Sequence, residues 1–209
     1  MDAGAILRES TIEALTGIVG AALLAVGLAY PALDRSSQSG QALTFESLNS
    51  TAADRDIRLD LITWYGRGKA LGADADVRVS LTTAHARGRL TRLAGRWEDA
   101  DLREETVASA GTGLGLGAEL RLGLLSAGAL RLQAQGGWSA MLFDRRFPAG
   151  GTTYSGLIRV GLLADVAIGG NTRTGVGWRW AHLSNGRGVV PRNPGLDARG
   201  LWLGLTSSF

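Results

Sequence analysis

Trp178-Arg179-Trp180-Ala181-His182-Leu183-Ser184-Asn185, followed by Asn193-Pro194-Gly195-Leu196-Asp197, decides how this chain is read. In an extended strand successive side chains point to opposite faces. Val176, Trp178, Trp180, His182 and Ser184 therefore share one face, while Arg173, Arg179 and several glycines take the other. A histidine and a serine lie on the apolar side and the charges lie opposite. A soluble sheet does the reverse. A membrane barrel whose reactive residues look toward lipid would show this pattern.

The same alternation recurs along the chain. It predicts strands over about Ala42–Leu48, Asp56–Tyr65, Ala75–Thr83, Glu105–Leu122, Ala129–Leu142, Thr153–Ile168, the stretch above, and Asp197–Phe209. In each, one face is read as aliphatic. Val77, Val79 and Leu81 stand against Asp76, Arg78 and Ser80, and Leu130, Leu132 and Trp138 stand against Arg131, Gln133 and Ser139. Leu201, Leu203 and Leu205 stand against Gly200, Gly204 and Thr206. The second face mixes glycine, serine and charges of both signs, which suits a narrow interior filled by ion pairs and small side chains. Only a closed barrel lets strands cross a bilayer, because every edge must be paired. An even strand number with aliphatics outside is the outer-membrane pattern, and eight strands leave room for side chains but no pore. The expected fold is all-β, an eight-stranded antiparallel transmembrane barrel over residues 33–209, and the terminal Phe209 suits an outer-membrane strand signal.

Composition agrees. The 209 residues suit one domain, with 31 glycines, 4 prolines, no cysteine and a net charge of +3. The arginines are scattered through strands, not clustered with aromatics, so nothing points to nucleic acid. Absent cysteines exclude a disulfide scaffold and Cys-ligated metal, and 2 histidines argue against a multi-His zinc site. No metal or organic cofactor is implied, and nothing in the residues specifies an oligomer. Met1 to about Ala32 reads as a secretory signal, with the small and apolar run Ala14–Ala29 at its centre and Gly27-Leu28-Ala29 as a small-x-small cleavage site. Asp2, Glu9 and Glu13 sit where a signal is normally positive, so an anchor helix or a start codon set too early is the alternative.

The connections after the second, fourth and sixth strands are short, and those after the third, fifth and seventh are longer. Short turns belong to the periplasmic side and long loops to the outside. The seventh strand then runs outward, which sets His182 and Ser184 at the level of the outer leaflet, with Trp178 and Trp180 in an interfacial aromatic belt.

A serine is a weak nucleophile until a base takes its proton, and the base needs a group to orient it. His182 is two residues from Ser184. Asp197 opens the next strand with the parity of Leu201 and Leu203. By counting alone the three share one outer face. An ionisable residue facing lipid is costly and needs a reason, so a Ser–His–Asp hydrolase acting on an acyl ester in the leaflet is the sharp reading. Taken singly, Asp197 reads as a turn residue and His-x-Ser as coincidence.

His182-Leu183-Ser184-Asn185 with Asn193-Pro194-Gly195-Leu196-Asp197, together with Phe147-Pro148-Ala149-Gly150-Gly151-Thr152, resembles the lipid A 3-O-deacylase (PagL) family, most strongly from about Gly136 to Phe209. That family is an eight-stranded outer-membrane barrel removing the ester-linked acyl chain at the 3-position of lipid A. The resemblance implies Ser184 as nucleophile, His182 as general base and Asp197 as the acid that orients it. It implies Asn193 and a backbone N–H near Gly186 or Gly188 as oxyanion donors, and Asn185 as support for the turn. A member of that family carries glutamate at the place of Asp197, one methylene longer, and the connecting loop here is one residue longer. The implied partner is lipopolysaccharide in the outer leaflet of the bacterial outer membrane. Two rival readings are kept: a phospholipid acyl hydrolase or acyltransferase, and a non-catalytic structural or adhesive barrel.

Gly111-Thr112-Gly113-Leu114-Gly115-Leu116-Gly117 lacks the lysine and strand-turn-helix context of a nucleotide loop and reads as relief of crowding inside a small barrel. His85, Arg87, Arg89, Arg92 and Arg96 are expected in a long outer loop, touching lipopolysaccharide phosphates or simply solvated.

Overall fold

The computed structural model describes residues 39–49, 56–70, 73–94, 103–149, 151–184 and 195–208, with side chains described over 74–88, 107–149, 151–184 and 195–208. The expected signal segment, Asn185, Gly186, Gly188, Asn193 and Phe209 lie outside these residues. The described strands are β1 (Ser39–Asn49), β2 (Asp56–Ala70), β3 (Ala73–Ala94), β4 (Arg103–Ala127), β5 (Leu130–Phe143), β6 (Tyr154–Gly169), β7 (Thr172–Ser184) and β8 (Gly195–Ser208). Each pairs antiparallel with the next, and β1 also pairs with β8 from Gly40↔Ser208 to Asn49↔Arg199, so the ring closes.

Two elements differ from expectation. β3 runs to Ala94 and β4 begins at Arg103, so His85 and Arg87 stand in a strand, not in a loop. Their backbone is paired: His85 faces Thr112 and Arg87 faces Ala110 in register. A hairpin satisfies its own backbone N–H and C=O groups, so charged side chains do not stop it from extending. The turn after β4 is correspondingly tight, with Gly128 at φ 58°. A register shift between Gly123 and Leu125 absorbs an extra residue.

The outer wall is greasy. Leu114, Leu116, Leu162, Leu201 and Leu203 are between 52 % and 60 % exposed. Val160, Val176, Trp178 and Leu205 join them. A soluble monomer does not leave such a continuous apolar band uncovered. Inside lie paired charges. Glu119 accepts from Arg121 at 2.7 Å and Arg179 at 3.3 Å. Arg78 donates to Asp76 at 3.0 Å, and Asp165 accepts from Arg131 at 3.2 Å and from Arg173. Arg121 also lies 5.0 Å from the centre of the Trp202 ring. Buried charges persist only when paired and hydrogen-bonded, so this network holds the wall together from within.

The interior is not polar along its whole length. At the end where β3, β5 and β7 finish, Ala84, Ala86, Met141, Phe143, Leu157, Ala181, Leu183, Leu196 and Ala198 form an apolar cluster. Phe147, from the segment between β5 and β6, is fully buried and packs on Phe143 with ring centres 5.0 Å apart. Its carbonyl accepts from Ser155 Oγ at 2.9 Å. The expected interior of glycine and ion pairs is therefore the lower part only, and the long-loop end is plugged. The inner glycines do relieve crowding: a Cβ at Gly113 would stand 3.0 Å from the Phe143 ring.

Candidate active site

β7 and β8 place the three expected residues. Their register sets His182 opposite Asp197 and Ser184 opposite Gly195. Directly opposed residues share a face, with Cβ atoms about 5 Å apart. The intervening Ala181, Leu183, Leu196 and Ala198 are buried inside the ring. His182, Ser184 and Asp197 consequently project from the outer wall, on the side of Trp178 and Leu201.

The His182 Nδ1–H donates to Asp197 Oδ1 at 2.9 Å. Aspartate has a short side chain, yet the direct cross-strand register brings its carboxylate into contact. In the neutral ring, a proton on Nδ1 facing the carboxylate leaves Nε2 as the acceptor, the tautomer a general base requires. Trp180, two residues back on the same face, stacks on His182 with ring centres 5.9 Å apart and planes 18° apart. This fixes the plane of the imidazole. Gly195 leaves it room, since a Cβ there would come within 3.0 Å of His182 Cε1.

Ser184 is half-buried. Among the described residues no side-chain hydrogen bond is formed by its hydroxyl. Catalytic hydrogen bonds of a substrate-free enzyme are often long and close when substrate docks. The pair His182–Asp197 is thus assembled, and Ser184 stands beside it on the same face.

A second outward histidine stands on β3. His85 Nδ1 lies 3.1 Å from Thr112 Oγ1. With Arg87, Thr112, Asp144 and Arg145 it lines an open pocket of about 370 Å³. The Arg145 hydrogen bond, helped by the Thr112 N–H, holds the Asp144 carboxyl below its ordinary range, and the carboxylate in turn raises Arg145. Among the described residues no group of three or more His, Asp or Glu is arranged to hold a metal ion.

The lipid A 3-O-deacylase (PagL) family profile matches residues 63–206. The chain belongs to the lipid A 3-O-deacylase (PagL) family. Membership places it in the bacterial outer membrane, in keeping with the apolar outer wall. Among solved structures, the chain is similar to Neisserial surface protein A at 14 % identity, over 83 % of this chain and 96 % of that one, with a TM-score of 0.39. It is similar to the outer membrane protein AlkL at 14 % identity, over 85 % and 92 %, with a TM-score of 0.35. No curated protein matches significantly.

Sequence reasoning did not reach Gly156 as the cross-strand partner of Ser184, nor the Trp138 indole that lies over Gly156. Trp138 was visible only as one more apolar residue of β5, and Gly156 as one of many glycines. Their nearness depends on the β5–β6–β7 register, which alternation alone does not specify.

Proposed function

We propose that this protein is an eight-stranded transmembrane barrel of the outer membrane that acts as a serine esterase, removing the 3-O-linked acyl chain of lipid A. The observation that supports it is the His182–Asp197 contact of 2.9 Å on the lipid-facing wall, with Ser184 on the same face two residues on. An ionisable cross-strand pair on a greasy surface is costly and needs a reason, which chemistry would supply.

Ser184 Oγ gives its proton to His182 Nε2 as it bonds the acyl carbonyl carbon, and the carbonyl electron pair moves onto oxygen. Collapse breaks the bond between that carbon and the sugar oxygen, which leaves with the proton from His182. A water, deprotonated by His182, then bonds the acyl carbon, and the bond to Ser184 Oγ breaks as His182 returns that proton to the serine, freeing the fatty acid. Asp197 holds the imidazole and balances its transient positive charge. Asn193 and a backbone N–H near Gly186 or Gly188 are proposed as oxyanion donors, with Asn185 supporting the turn. The ester oxygens of lipid A lie where headgroup meets acyl chain, and a site at the long-loop end of the outer wall meets them without extracting the lipid.

Mass spectrometry of lipid A from cells expressing wild type or Ser184→Ala tests this. Loss of one 3-hydroxyacyl chain with wild type only is the expected result. Intact lipid A with altered phospholipid chains would move the activity to phospholipid, and no change in either would remove the enzyme reading.

A further inference from the structure

Ser184 stands between two glycines, Gly156 on β6 and Gly195 on β8, each its cross-strand partner. Each glycine lies under a ring. The His182 imidazole covers Gly195. The Trp138 indole reaches diagonally from β5 over Gly156, with Nε1 3.1 Å and Cε2 3.8 Å from where a Cβ would stand. The same Cβ position lies 3.7 Å from the Ser184 carbonyl oxygen. Opposed Cβ positions are about 5 Å apart, so the indole N–H lies within about 8 Å of the Ser184 side chain.

The next strand repeats the small residue: Ala140 pairs with Gly156. Ala140, Gly156, Ser184 and Gly195 form one cross-strand row of small residues. The adjoining row is Trp138, Ile158, His182 and Asp197. The outer wall is therefore notched at Ser184, with a base on one flank of the notch and an N–H on the other. An indole nitrogen only donates. Trp138 is half-buried, and among the described residues its N–H has no hydrogen-bond partner. A donor on a lipid-facing wall is poorly served by its surroundings, so an incoming oxygen finds it unoccupied.

We propose that the Trp138 indole N–H is a substrate-contacting donor, directed at the carbonyl oxygen of the ester that Ser184 attacks, and that position 156 is glycine to let the indole reach it. This rests on the reading of Ser184 as nucleophile. The carbonyl oxygen becomes negative in the tetrahedral intermediate, where a preset donor contributes most.

The test is steady-state deacylation of lipid A in detergent micelles by wild type, Ser184→Ala, Trp138→Phe and Gly156→Ala. Heat-modifiable gel mobility serves as the check on folding. Trp138→Phe keeps a ring over Gly156 and removes only the donor. We expect kcat to fall about 10²-fold, with KM within about threefold of wild type. Gly156→Ala keeps the donor but displaces it, and kcat should fall in the same direction. If Trp138→Phe does not fold, Gly156→Ala decides: an unchanged kcat overturns the assignment. Wild-type kcat in a folded Trp138→Phe, with Ser184→Ala inert, overturns the role of Trp138 and leaves the deacylase intact. If wild type is as inert as Ser184→Ala, the deacylase reading falls and takes this one with it.

Discussion

Two histidines stand on the outer wall, one on β3 and one on β7, on opposite sides of the ring. Each meets its directly opposed cross-strand partner through Nδ1. His182 meets the Asp197 carboxylate at 2.9 Å, and His85 meets the Thr112 hydroxyl at 3.1 Å. Two residues further along the same face, β7 carries Ser184 where β3 carries Arg87. The two walls teach what an outward histidine lacks by itself. A hydroxyl partner can orient an imidazole but cannot balance the positive charge it gains on taking a proton. An arginine two residues on offers no nucleophile and opposes that charge. Of the two, the β7–β8 wall sets a carboxylate directly against the imidazole, with a serine hydroxyl two residues on along the same face.

The comparison can be broken or sharpened by substitution. Making the β7 wall resemble the β3 wall should cost most. Asp197→Asn keeps a hydrogen-bonding partner for His182 but removes its charge, and kcat for lipid A deacylation should fall about 10³-fold or more. An activity near wild type would mean that the carboxylate is only closing the turn. Gly195→Ala should have a smaller effect. The added methyl meets His182 Cε1 at 3.0 Å, tilts the ring and should lower kcat roughly tenfold, because small misplacements of catalytic groups are costly. The fold should survive, as read by heat-modifiable mobility. His85→Ala should be the mildest, with deacylation within about twofold of wild type, since surface changes away from such features are usually small. A large loss there would show that the β3 wall takes part in binding lipid A.

Much of the candidate site's geometry was legible without coordinates. His182, Ser184 and Asp197 fall on one face because parity along a strand is a strict period of two, and the apolar neighbours show which face looks out. The reach of Asp197 was not legible. It depends on which residue of β8 lies opposite His182, and the loop before β8 could have shifted that pairing by a residue. Nor could alternation find the ends of β3 and β4, because arginines and glutamates continue a paired hairpin as well as valines do once backbone bonds are made. The apolar plug around Phe147 was missed for a related reason. Its members come from distant strands and from a segment between them, and no local period links them.

The sequence by itself determined the alternation, the apolar outer surface, the family block and the shared outward face of the three candidate residues, because these are local properties of side chains and their spacing. Tertiary structure alone decided register. Register set the carboxylate against the imidazole, cleared Gly195 beneath that ring and carried Trp138 over Gly156. Pairing between strands is settled by the closure of the whole ring, and no single strand holds that information.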